Sequence, residues 1–91
     1  MAIWFGRSSL RHGISEDRAR YVVENCPSPR YTHVDESERD FVLFLWHDWN
    51  GVPLEVVAMD LASGDLVVVH AMKMRKSYEA DYTEILEWHR R

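Results

Sequence analysis

His70 closes an apolar, β-branched run, Leu66-Val67-Val68-Val69, and Lys73, Arg75 and Lys76 follow it with no acidic residue between. An imidazole titrates near neutral pH and can move protons there. Cations at a helix start oppose the macrodipole, which favours a role for them in binding. Each residue also has an ordinary reading. His70 can be a strand-end histidine bonded to a loop carbonyl, the three cations a solvated helix entry, and Tyr78 and Tyr82 part of an apolar helix stripe.

The chain has five histidines, His12, His33, His47, His70 and His89. No two are spaced i, i+2 or i, i+4, there is no HExxH, and Cys26 has no neighbouring ligand, so neither a metal site nor a cofactor is expected. Cys26 is also the only cysteine, which rules out an intrachain disulfide and suits a reducing compartment.

These residues sit in a chain of 91 residues, expected to fold as one domain over 1–91, with 46% hydrophobic and 29% charged residues, too apolar for intrinsic disorder. At its start, MAIWFGR places the apolar residues before the charge, the reverse of a secretory signal. No apolar run approaches the roughly 20 residues that span a bilayer, and the expected location is cytoplasmic, away from membranes. A net charge of −4 argues against broad nonspecific nucleic-acid binding and leaves room for a local basic patch.

The elements that must position these side chains follow from pattern. Residues 1–13 read as either a short helix or an irregular arm. Ser15, followed by Glu16 and Asp17, caps a helix whose Ala19, Val22, Val23 and Cys26 share one face, and Pro27 and Pro29 end it. Tyr31–Val34 suits a short strand, and the charged run DESERD suits a loop. Phe41–Trp49 is apolar on both faces and belongs near a sheet centre. Asn50-Gly51 turns it into Val52–Leu61, with Pro53 at the start of that strand or on its unpaired side. Ala62-Ser63-Gly64-Asp65 leads on to Leu66–His70. Ser77 is expected to cap a last helix with Tyr78, Tyr82, Ile85 and Trp88 or His89 along its apolar stripe. The fold class is α+β: an antiparallel meander of three to four strands with an N-terminal and a C-terminal helix packed on it.

Arg11-His12-Gly13-Ile14 leading into a helix, a hairpin-linked sheet, and a last strand running through His70 and Ala71 into basic residues and Tyr82 together resemble the BrnT-type toxins and related small RelE-like ribonuclease domains. The likeness extends over about residues 7–84. It implies a metal-independent endoribonuclease of a bacterial type II toxin-antitoxin system, with a small DNA-binding antitoxin as partner and RNA as substrate. His70 and His12 would be the acid–base pair, and Arg11, Lys73, Arg75 and Tyr82 would bind substrate. Met72 departs from the pattern, standing where the family has an arginine that contacts RNA phosphate. A noncatalytic domain that keeps the toxin-like fold to bind a partner protein is the alternative.

Overall fold

Ser15 starts the first helix as its sequence requires, its Oγ accepting the Arg18 N–H at 3.2 Å. The computed structural model describes residues 2–33 and 40–90. In chain order these form β1 (Ile3–Phe5), a 3-10 turn (Arg7–Leu10), α1 (Glu16–Asn25), β2 (Arg30–His33), β3 (Asp40–His47), β4 (Pro53–Asp60), β5 (Leu66–Lys73), a second 3-10 turn (Lys76–Tyr78) and α2 (Glu79–His89). Val34 and the acidic run through Arg39 lie outside the described residues.

The strands make one sheet in the order β1-β5-β4-β3-β2. The β2-β3-β4-β5 portion is antiparallel, as the turn chemistry predicts. The expected all-antiparallel sheet of three to four strands is corrected by β1, which runs parallel to β5 on its outer side and makes the sheet five-stranded and mixed. Three residues are too few to show a strand period. Their pairing is also entirely nonlocal, held by Leu66 N–H to the Ala2 carbonyl at 3.0 Å and Gly6 N–H to the Val68 carbonyl at 2.8 Å.

The β3–β4 connection is tied by Asp48, whose Oδ1 accepts the N–H groups of Asn50 (2.9 Å) and Val52 (3.0 Å). Gly51 takes φ +80°, the left-handed region its missing Cβ allows. Asp48 Oδ2 in turn accepts from Arg18 Nε at 2.8 Å, joining the hairpin to α1.

Packing follows the strand alternation. Val42 and Phe44 of β3, Val56 and Ala58 of β4, and Leu66, Val68 and Ala71 of β5 are buried, and the first helix contributes Ala19, Val22 and Val23 to the same core. Val23 lines one cavity with Val42, Phe44 and Leu66, which fixes this as the α1 face. On the other face α2 covers β3: Tyr82 shares a 2.9 Å hydrogen bond with His47 Nδ1, and Arg30 meets Asp81 and Glu84. Ile85 is buried and Leu86 half-buried, whereas Trp88 is 64% exposed and leaves the stripe to its neighbours. Ser77 does not cap this helix. The 3-10 turn absorbs it, and α2 starts after Tyr78 without a side-chain cap bond.

Val22 has no exposed surface. Losing a buried aliphatic side chain costs about 1.5–3 kcal/mol, and a carboxylate in the same space must give up its hydration as well. Val22→Asp is therefore expected to abolish the cooperative thermal transition in circular dichroism, and a sharp native-like melt would show that the α1 face is not core.

Candidate functional site

Strict alternation along β5 would send His70 into the core. Leu66 and Val68 both face α1, so a residue two further on would follow them. The register instead shifts: Ala58 pairs with Val68, Val57 pairs with His70, and Val69 is an extra residue on β5. This β-bulge reverses the phase of the strand end. Ala71 takes the buried place, and His70 emerges on the opposite face beside Glu55, two residues along β4 from its partner Val57.

The bulge also explains how His12 arrives. Its freed carbonyl at Val69 accepts from Ser8 Oγ at 2.8 Å, which seats the first 3-10 turn against β5. Gly13 then turns the chain with φ +77°, a conformation that L side chains rarely adopt, before Ile14 enters the core and Ser15 opens α1. His12 is held so that its ring meets that of His70 edge-on, centroids 5.4 Å apart. Arg11 is exposed beside it.

Glu55 forms the floor of the cluster. Its carboxylate is fully buried and is gripped by Arg75 through Nε to Oε1 at 2.7 Å and Nη2 to Oε2 at 3.2 Å. This planar two-point geometry is the strongest form of a guanidinium–carboxylate contact. The Arg75 side chain remains about half exposed, and its guanidinium lies over the Tyr78 ring, 5.7 Å from its centroid. His70 Nε2 sits 4.0 Å from Glu55 Oε1, beyond hydrogen-bond reach, and is buried with no hydrogen-bond partner among the described residues.

Burial pushes the His70 imidazole below its ordinary titration range. The Glu55 carboxylate opposes this, while His12 and Arg75 reinforce it. At neutral pH His70 is thus mainly the uncharged base. The Arg75 guanidinium is moved the other way, upward, chiefly by its hydrogen bonds to Glu55.

The structure brings His12, His70 and Arg75 into one cluster and sets Lys73 and Tyr82 apart from it. Lys73 pairs with Leu54 on β4, one rung beyond the Glu55–Met72 pair, so alternation puts it on the opposite side of the strand from His70. It is also the last residue of β5, which runs three residues past the expected end at His70. Lys73 and Tyr82 line a separate cavity at the end of the sheet. Tyr82 belongs there to an aromatic group in which Trp46 stacks on His47, and Tyr82 and His89 both meet the Trp46 ring edge-on.

Glu55 escaped the sequence reading. The signal was a single carboxylate within the apolar run Leu54–Met59, a strand apolar on both faces, where a buried charge needs a partner. Among the described residues no group of three or more His, Cys, Asp or Glu side chains is arranged to hold a metal ion, and no helix is long and apolar enough to cross a membrane. Compared with protein-family models, curated proteins and solved structures, the chain matches none.

Proposed function

We propose that the chain is the toxin-like component of a bacterial type II toxin-antitoxin pair and cleaves RNA without a metal. The observation that carries this reading is the edge-on contact of His12 with His70, 5.4 Å between centroids, beside a guanidinium fixed by a buried carboxylate. Cleavage of a ribose phosphodiester needs a base, an acid and a cation. His70, mainly neutral, takes the 2′-hydroxyl proton as that oxygen bonds to phosphorus. His12 gives a proton to the 5′-oxygen as its bond to phosphorus breaks, leaving a 2′,3′-cyclic phosphate and a 5′-hydroxyl. The exposed side of Arg75 meets the charge on the phosphorane oxygens, the task for which the resembling family has an arginine at the position of Met72.

In this reading the antitoxin, a small DNA-binding protein, neutralises the chain by covering its sheet. A noncatalytic, partner-binding role is the second reading. It draws on the ladder Trp4–Val67–Met59–Phe41, four apolar residues in register across the sheet, with Trp4 58% exposed and the other three partly so. A basic partner would suit the acidic chain.

The experiment is cleavage of a mixed-sequence RNA by the purified protein in excess EDTA, together with induced expression in a bacterial host. Growth arrest and cyclic-phosphate products are expected. His70→Ala should lower cleavage at least about 100-fold with an unchanged melting temperature. A folded wild type that neither arrests growth nor cuts RNA would leave the partner-binding reading in place.

A further inference from the structure

Lys73 and Tyr82, kept away from the histidine pair, share a cavity of about 460 Å³ with Val52, Pro53, Met74 and Glu79. That volume lies within the range of small-ligand sites, about 300–1,000 Å³. Its walls are of two kinds. Val52, Pro53, Met74 and the Tyr82 ring offer apolar surface, and the hydrogen bond between the Tyr82 hydroxyl and His47 Nδ1 fixes the orientation of that ring. Lys73 and Glu79 add one cation and one carboxylate, both on exposed residues.

We propose that this cavity is a nucleobase subsite that favours bases carrying an exocyclic amino group over uracil. A flat aromatic wall stacks any base, since every base presents a π face. Selection then falls to Glu79, an acceptor-only side chain that rewards amino N–H donors, as carboxylates do at cytosine N4. Lys73 pairs with the phosphate of the same nucleotide as a point charge.

The subsite deepens the RNA-cleavage reading and rests on it for its biological meaning. Its position fits that reading. Pro53 is four residues along β4 from Val57, the partner of His70, about 13 Å by strand rise, and Met74 directly precedes Arg75. An RNA strand bound at the histidine cluster would therefore place in the cavity a base further along than the one next to the bond that is cut.

The test uses 3′-AMP, 3′-CMP, 3′-GMP and 3′-UMP titrated into the whole protein by calorimetry. The three amino-bearing nucleotides are expected to bind about tenfold more tightly than 3′-UMP, a difference typical of one good base contact. Glu79→Gln should remove that preference, Lys73→Ala should weaken all four alike, and Tyr82→Leu should do so at an unchanged fold. His70→Ala should retain the preference. Equal affinity for all four nucleotides, or a preference that survives Glu79→Gln, overturns the subsite even if RNA is cleaved. The expected preference in a protein that cuts no RNA supports the subsite and removes the cleavage reading instead.

Discussion

Alanine at position 48 is expected to lower folding stability by about 3 kcal/mol, the loss typical when one member of a buried charge pair is removed and the other is left without its partner. Asp48 is 1% exposed and carries three strong contacts, from Arg18 Nε and from the amides of Asn50 and Val52. The substitution thus uncouples α1 from the hairpin and leaves two turn N–H groups without their acceptor. Burial by itself would raise the Asp48 pKa, but the Val52 and Asn50 amides and the Arg18 guanidinium outweigh it and hold the carboxyl below its ordinary value. A depressed folded-state value contributes stability above the unfolded-state value, and this is lost as the pH falls through the folded one. The difference in urea midpoint between wild type and Asp48→Ala should therefore be largest near pH 7 and shrink on acidification below the ordinary aspartate range. A difference that stays constant down to strongly acid pH would show that Asp48 acts by packing alone.

The second large effect is expected at Glu55. Glutamine there keeps the volume and removes the charge that holds Arg75 at two points and faces His70 at 4.0 Å. If the cluster cleaves RNA, Glu55→Gln should reduce turnover about 100-fold, as loss of a preorganised charge in a water-poor site does. Glu55 acts as a positioning residue, so activity alone would not distinguish its role from a fold defect. The titration of His70 does. Glu55 is the influence that raises the His70 pKa against burial, so its removal should move the imidazole NMR titration further down. An upward or absent shift would mean that His70 does not sense Glu55, and the proposed cluster would lose its floor.

The difference between what could and could not be read from sequence comes down to the range of the information. Ser15 with Glu16 and Asp17, Asn50-Gly51, and Pro53 at the head of β4 each act within a turn or two of chain, and each is seen where its local chemistry puts it. β1 was not legible because its ladder partner lies on β5, far along the chain. The extra residue at Val69 left no mark either, since Val67-Val68-Val69 reads as uninterrupted strand, yet it decides which face His70 occupies. Proximity in sequence groups Lys73 with His70, whereas strand alternation sends the two to opposite faces of β5. Ser77 had the right chemistry for a cap, but the 3-10 turn begins one residue earlier and takes it in.

β1 has a consequence for the order in which the molecule assembles. The bond from the Ala2 N–H to Asp65 Oδ1 joins residues 63 apart in sequence, and closing so long a loop is slow and entropically costly compared with forming the hairpins. His12 is carried on the segment that follows β1, so the two imidazoles meet only once this late closure is complete. The same link is the natural place for the native state to fray, because a three-residue edge strand opens at a lower free energy than the central ladder. Amide protons of Ile3–Phe5 should accordingly exchange much faster than those of Val56–Ala58, and equal protection would contradict this order. Detachment of the first dozen residues would separate the histidines and uncover the edge of the core on which Ile3 and Phe5 pack, making the pairing of the site a property of a three-residue edge strand.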